Sequence, residues 1–157
     1  MNSAHPDYQH VPKDLSHDSE ILKALKAEAP EVLQTLNGEL LDIDSGRGYA
    51  RLRFEIVRAF CHSQGRICQG GFLTGMVDTA MANAAIVKSR LAAAVPTLEI
   101  KVSFFEAMGP GIVYAEGRVM RWGGSVGFLD GDLKDEKGRL IVHATSTVKI
   151  IRPKTRT

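Results

Sequence analysis

The chain has 157 residues, of which 44% are hydrophobic, and its 20 Lys and Arg against 18 Asp and Glu leave a net charge of +2. This length and composition fit a single domain with a packed core. The near balance of charge argues against a nucleic-acid partner, and no segment is apolar for long enough to cross a membrane.

The first part of the chain is predicted to hold an arm and a short helix. Residues 1–17 are polar, lack the apolar stretch of a signal peptide and form the predicted flexible arm, and residues 18–157 form one domain. Ser16 or Asp18 is predicted to cap a helix that runs to about Ala29, because apolar residues recur there at helical spacing.

Two strands are predicted next, over residues 39–44 and 49–59. In the second strand apolar and charged side chains alternate, which indicates one buried and one wet face. A loop over residues 60–71 follows and contains Cys61 and Cys68. Two cysteines at this spacing form neither a disulfide framework nor a metal site, so we expect free thiols and a cytoplasmic protein.

A long helix is predicted over residues 72–94. It is rich in alanine and has almost no charge before Lys88. Because a helix that is apolar nearly all round must be buried nearly all round, we expect it at the centre of the fold. Asp78 is its only carboxylate, and Pro96 ends it.

A run of strands is predicted after the helix, over residues 97–105, 112–122, 125–133 and 139–151. In the first of them one face is predicted to be apolar and the other polar. The apolar face holds Leu98, Ile100, Val102 and Phe104, and the polar face holds Glu99, Lys101 and Ser103. The order of elements predicts an α+β fold in which one antiparallel sheet curls around the long helix.

The Gly70-Gly71 pair lies where the loop becomes the long helix. The first turn of a helix exposes unpaired N–H groups at the positive end of its dipole, and glycines let a substrate oxygen approach them closely. Such a place can serve as an oxyanion site for a carbonyl under attack. The alternative is a glycine pair that only makes a tight junction between loop and helix.

Asp78 follows the two glycines and falls near the same helical stripe as Gly71. Its neighbours on that stripe, such as Thr74 and Gly75, are small and leave room for a groove. A carboxylate placed there costs folding free energy unless it is hydrogen-bonded or reached by solvent. The sequence therefore supports either a catalytic acid or an Asp that a backbone or threonine partner satisfies.

Three side chains of the preceding loop are further candidates. Gln69 can both donate and accept a hydrogen bond. A triad of Ser63, His62 and Asp78 is not supported, because the side chains of adjacent strand residues point apart and the chain has no G-x-S-x-G motif.

Three stretches of the chain together resemble one family: QGGFLTGMVDTAMANAAI, TLEIKVSFFEAMGPG and GRVMRWGGSVGFLDGDLKDEKGRLIVHATST. They are similar to the hot-dog thioesterases of the phenylacetate-degradation type, over roughly residues 37–150. The resemblance implies a hot-dog fold, with a long central helix wrapped by a curved antiparallel sheet. It also implies homodimers that often pair into homotetramers, with two sites at each dimer interface.

The implied activity is hydrolysis of acyl-CoA thioesters to a free acid and coenzyme A, with no metal and no cofactor other than the coenzyme A of the substrate. By position, Gly70 with Gly71 would polarise the thioester carbonyl. Asp78 of the partner chain would act as general base on water or as nucleophile, and Thr97 would help to orient that water. One stretch would lie along the coenzyme A arm: Arg121, Trp122, Gly123, Gly124, Ser125 and Val126.

Two positions depart from the family pattern. Gln69 stands where a His usually precedes the glycines, and Ser63, flanked by His62, stands where Asn is common. These departures motivate a second hypothesis, a binding protein for acyl thioesters that lacks catalysis. A third, a hydratase or dehydratase on the same scaffold, needs a catalytic His near the acid, and His62 is the only candidate. Six apolar residues would line either an acyl pocket or ordinary core: Phe72, Met76, Met81, Phe104, Phe105 and Met108.

Overall fold

The computed structural model describes residues 17–152, so residues 1–16 of the predicted arm, with Ser16, lie outside the described residues. Helices Asp18–Ala27 (α1) and Glu31–Thr35 (α2) come first. His17, rather than Asp18, occupies the N-cap position of α1, and its N–H donates to Glu20 Oε2 at 3.4 Å. Asp18 lies inside the helix, where its carboxylate accepts a hydrogen bond from the Ser45 N–H at 3.1 Å.

Six strands form one antiparallel sheet: Gly38–Asp44 (β1), Tyr49–Ile56 (β2), Thr97–Phe104 (β5), Gly111–Trp122 (β6), Val126–Asp135 (β7) and Leu140–Lys149 (β8). Their order in the sheet is β1-β2-β6-β7-β8-β5. The short strands Cys61–His62 (β3) and Ile67–Cys68 (β4) form a separate hairpin. Strand β5 is therefore an edge strand of the main sheet.

The long helix Gly70–Lys88 (α3) packs against the inner face of this sheet. Met76, Val77, Ala80 and Met81 are fully buried against it. The approach is close at Gly117 of β6, where a Cβ atom would overlap the backbone of Ala80 and Met81. The predicted α+β arrangement of one sheet around one buried helix is confirmed.

Both predicted ends of the long helix are wrong. The helix begins at Gly70, because Gln69 caps it by accepting the Gly71 N–H on Oε1 at 2.6 Å. It ends at Lys88 because Arg90 and Leu91 turn into the left-handed region, with φ of 53° and 62°. The following alanines do not extend the helix, since Ala94 pairs with Ile151 and tertiary pairing outweighs helix propensity.

The predicted strand over residues 49–59 ends early, at Ile56, and a 3₁₀ turn over Arg58–Phe60 follows. The predicted loop then contains the β3–β4 hairpin, in which Cys61 and Cys68 are register partners. Both are free thiols, as predicted, and burial raises the pKa of Cys68 to about 12. Within residues 17–152, none of the helices has the length and apolarity that a bilayer span requires.

Candidate active site

Asp78 lies half-buried in the middle of α3 and accepts a hydrogen bond from Thr97 Oγ1 on Oδ1 at 3.1 Å. Burial raises the pKa of this carboxyl above its ordinary value, because it disfavours the charged form. The hydrogen bond from Thr97 acts in the opposite direction and stabilises the ionised form. The balance leaves a carboxylate that takes up a proton more readily than an exposed Asp does.

Thr97 reaches Asp78 because of a bulge at the start of β5. Thr97 pairs with Val148, but Glu99 pairs with Thr147, so Leu98 is an extra residue on this strand. The bulge turns Leu98 outward, where it is 59% exposed. It also puts the Thr97 side chain on the inner face of the sheet, where it reaches Asp78. The predicted strict alternation is therefore wrong at Leu98, and bulges commonly re-aim a side chain in this way.

The remaining side chains on this stretch of α3 bond within the helix. Thr74 Oγ1 donates to the Gly70 carbonyl at 2.8 Å and Thr79 Oγ1 donates to the Gly75 carbonyl at 2.7 Å. Thr97 is thus the threonine partner that Asp78 finds, and it is itself exposed. A carboxylate can accept several hydrogen bonds. Asp78 can therefore accept a further hydrogen bond from a water or a substrate that approaches past the exposed Thr97.

The start of α3 carries the second group of candidate residues. The Gly71 N–H is taken by the side chain of Gln69, so this amide is engaged within the chain. Gly70 lines a cleft of about 310 Å³ and lies beside the tip of the Phe104 ring, which would be 3.0 Å from a Cβ at this position. The backbone of Gly70 therefore borders open space.

One chain does not bring these two groups together. Because α3 rises about 1.5 Å per residue, Asp78 lies roughly 10–12 Å along the helix axis from Gly70 and Gly71. The structure joins Asp78 to Thr97 and Gln69 to Gly71. A carbonyl cannot reach both ends within a single subunit.

His62 and Ser63 lie at the tip of the β3–β4 hairpin, where both are exposed. Ser63 has a φ of 53°, so it belongs to a turn rather than to a strand. For this reason the prediction that the two side chains point apart is wrong: His62 Nδ1 and Ser63 Oγ form a hydrogen bond of 2.9 Å. Asp78 takes its hydrogen bond from Thr97 instead, and no triad forms.

The stretch predicted to lie along the coenzyme A arm spans the end of β6 (Arg121 and Trp122), the turn over residues 123–125 and the first residue of β7, Val126. It lies at the same end of the sheet as Thr97, because Val148 pairs with Thr97 on one side and with Gly127 on the other. Thr97 and Gly127 are therefore two strand spacings apart, which is about 10 Å. The turn is held by the Ile150 N–H, which donates to the Ser125 carbonyl at 2.8 Å, and Arg121 is exposed.

His143 lies on the outer face of the sheet, and its Nδ1 is 2.8 Å from Asp132 Oδ1. Arg118 also donates to Asp132. Burial by itself would raise the pKa of Asp132, but these two hydrogen bonds outweigh it and hold the pKa below its ordinary value. This network faces away from α3. Within residues 17–152, no group of three or more His, Cys, Asp or Glu could hold a metal ion.

The six apolar residues predicted to line an acyl pocket or the core, which lie in the long helix, in β5 and in the segment after β5, divide into two sets. Met76 and Met81 are fully buried core, and Phe72 stacks on Phe60 with ring centroids 4.4 Å apart. Phe104 and Phe105 are instead 52% and 58% exposed, and together with Met108 they line the cleft at Gly70. Residue type and spacing gave no signal that separates the two sets.

This fold and site define a class, and comparison with known proteins identifies it. The sequence model of the Thioesterase superfamily matches residues 65–142, which contain the start of α3, Asp78 and Thr97. The chain fits a hot-dog thioesterase of this superfamily, and the predicted fold class and family resemblance are confirmed. Hydrolysis of thioesters is the activity that this match supports.

Individual relatives agree with this assignment. A candidate thioesterase related to phenylacetic acid degradation, from Ralstonia eutropha, is 28% identical with a TM-score of 0.75, over 82% of this chain and 98% of its own. The E. coli PaaI protein of the phenylacetic acid degradation operon has the same fold at 19% identity, with a TM-score of 0.76 over 88% of this chain and 96% of its own. A candidate esterase from Saccharolobus solfataricus is 26% identical over 81% of this chain and 88% of its own.

Proposed function

We propose that this hydrolase acts on acyl-CoA thioesters and that Asp78 of one chain works with the start of α3 of a second chain. One observation carries the proposal. Along the edge strand β5, the Asp78–Thr97 pair lies at one end and the cleft between Gly70 and Phe104 lies at the other.

A twofold axis through the middle of β5 supplies the missing contact. Such an axis pairs β5 with its copy in antiparallel fashion and makes the interface symmetric. Antiparallel pairing reverses one strand relative to the other, so the acid end of each chain meets the Gly70 end of its partner. Two equivalent sites follow, each with Asp78 from one subunit and Gly70 from the other.

The composition of the β5 edge supports this pairing. Exposed edge strands pair readily with other strands unless they are blocked, and β5 carries the exposed apolar side chains Leu98 and Phe104. We therefore propose a homodimer as the active unit. A homotetramer built from two dimers, and a cytoplasmic location, remain predictions.

The chemistry is a hydrolysis in which Asp78 is the general base. Asp78 takes a proton from water, and the water oxygen attacks the thioester carbonyl carbon. The negative charge that develops on the carbonyl oxygen is stabilised by backbone N–H groups at the start of the partner's α3. The C–S bond then breaks, and the proton passes from Asp78 to the leaving thiolate, which gives a carboxylic acid and coenzyme A.

The stretch from Arg121 to Val126 supports a coenzyme A substrate. It lies at the same end of the sheet as Thr97 and Asp78 and presents the exposed cation of Arg121, which can pair with phosphate groups. Arg152 is fixed beside this turn, because its guanidinium donates to the Gly124 carbonyl.

The test is the Asp78→Asn variant, assayed by release of free thiol from acyl-CoA. Loss of a general base lowers kcat by about 10³-fold, and the isosteric amide leaves the fold in place. Its Tm at pH 7 is expected to be no lower than that of the wild type, because burial disfavours the ionised Asp78. Wild-type turnover by a folded Asp78→Asn variant would remove Asp78 from the mechanism.

A second candidate, an acyl-thioester binding protein without catalysis, is favoured by one contact. The side chain of Gln69 occupies the Gly71 N–H and competes with a substrate carbonyl for it. Isothermal titration that shows tight acyl-CoA binding by the wild type, together with no thiol release, would select this function. A hydratase is not proposed, since His62 pairs with Ser63 rather than with the acid.

A further inference from the structure

A preformed apolar cleft of about 310 Å³ opens beside Gly70. Its walls come from β4, the first turns of α3 and the segment that follows β5. The segment after β5 is fixed on two sides. The Phe105 N–H donates to the Ile141 carbonyl at 2.9 Å, and the Met108 carbonyl accepts from the Cys68 N–H at 2.7 Å.

The cleft walls are apolar except at one point. Ile67, Leu73, Phe105 and Met108 line it with hydrocarbon or sulfur, and Glu106 is the one charged residue among its described lining residues. Phe105 leaves 58% of its surface exposed, although burying a large apolar side chain away from water is energetically favourable. Such a concave apolar surface with few polar groups is typical of a small-molecule site.

The position of Phe104 links the cleft to the reacting carbonyl. Its ring tip would lie 3.0 Å from a Cβ on residue 70, so the absence of a side chain at Gly70 lets the ring reach the helix start. A carbonyl oxygen held at the Gly70 backbone therefore lies next to the Phe104 ring. The part of a substrate attached to that carbonyl then lies against Phe104 and Phe105.

We propose that this cleft holds the acyl group of the thioester and selects uncharged, apolar acyl groups over acyl groups that end in a carboxylate. The assignment rests on the proposed thioesterase function. Each methylene buried against the walls raises kcat/KM by about fourfold, which corresponds to roughly 0.8 kcal/mol per CH₂ group. Glu106 adds repulsion toward a terminal carboxylate.

The experiment compares kcat/KM for acetyl-, hexanoyl- and adipoyl-CoA, which share the coenzyme A part and differ only in the acyl group. The wild type is expected to prefer hexanoyl- over acetyl-CoA by at least about tenfold, and hexanoyl- over adipoyl-CoA. Phe105→Ala and Met108→Ala each lower the hexanoyl-to-acetyl ratio by about fourfold or more. Glu106→Gln raises the adipoyl-to-hexanoyl ratio by about threefold at low salt.

The matched control is Phe128→Ala, which removes an exposed aromatic ring, 48% accessible, from the outer face of the sheet. It is expected to leave both ratios at their wild-type values. If wild-type protein releases no thiol from any of the three substrates, the thioesterase function fails. If thiol is released but neither Phe105→Ala nor Met108→Ala changes the ratio, the cleft does not hold the acyl group. Equal losses on all three substrates would place the coenzyme A arm there and overturn the assignment.

Discussion

Two interactions of opposite sign set the protonation of Asp78. Burial raises its pKa, and the Thr97 hydroxyl lowers it by donating to the ionised form. A general base works only when ionised, so activity falls as the pH drops through this pKa. The acidic limb of the pH–rate profile therefore lies above the range of an exposed Asp.

Thr97→Val is predicted to move that acidic limb to higher pH. The substitution removes the hydrogen bond that favours the carboxylate, and burial then acts unopposed. The profile of kcat/KM against pH measures the shift. Thr145→Val serves as the control, because Thr145 is exposed on the outer face of the sheet and lies in a different cavity. A Thr97→Val profile that overlays the wild type would show that this hydrogen bond does not tune the base.

The same carboxyl makes stability depend on pH. A pKa that is raised in the folded state gives a stability contribution that is present below the unfolded-state pKa, near 4, and is lost as the pH rises through the folded-state pKa. The Tm advantage of Asp78→Asn is therefore expected at pH 7 and shrinks toward pH 4. A variant that is less stable than wild type at pH 7 would contradict this.

At the scale of elements, the site depends on how closely α3 approaches the sheet. The backbone of Ala80 and Met81 leaves no room for a Cβ on Gly117. The contact joins helix backbone to strand backbone, so neither neighbour can rotate away. This close packing keeps Asp78 at a depth where Thr97 can reach it.

Gly117→Ala is predicted to destabilise the protein by about 2–3 kcal/mol, because overpacking at a rigid contact forces the helix outward. Urea unfolding followed by circular dichroism measures the change. Gly124→Ala is the control, since a Cβ there meets no atom within 4 Å, and its effect is expected within about 0.5 kcal/mol. Equal stability of the two variants would refute the close contact.

At the scale of the whole molecule, the proposed site needs two chains, and mixed dimers can test this directly. Gly70→Pro removes one backbone N–H at the first position of α3, where proline fits a helix. The preceding Gln69 has an extended conformation, φ −68° and ψ 133°, which suits a residue before proline. Gly70→Ala adds a similar Cβ near Phe104 but keeps the N–H, so it is expected to lose less activity.

Gly70→Pro and Asp78→Asn homodimers are both predicted to be nearly inactive, whereas their co-expressed mixture regains about a quarter of wild-type activity. Half of the random dimers are mixed, and each mixed dimer has one intact site out of two. The recovery is measured as the rate of thiol release by the dimer fraction, isolated by size, relative to the wild type. A mixture of Asp78→Asn with Asp78→Ala should recover nothing. If the first mixture also stays inactive, the two groups do not meet across subunits.

The sequence by itself determined the features that depend on local spacing. The buried helix, the strands on both sides of it and the Gly70-Gly71 junction follow from patterns within a few residues. The orientation of Thr97, the hydrogen bond between His62 and Ser63 and the exposure of Phe104 were decided only by the tertiary structure. They depend on pairings between distant residues, such as Thr97 with Val148, and on a turn with positive φ at Ser63. No local pattern encodes these contacts, because a bulge or a left-handed turn changes where a side chain points without changing its sequence neighbours.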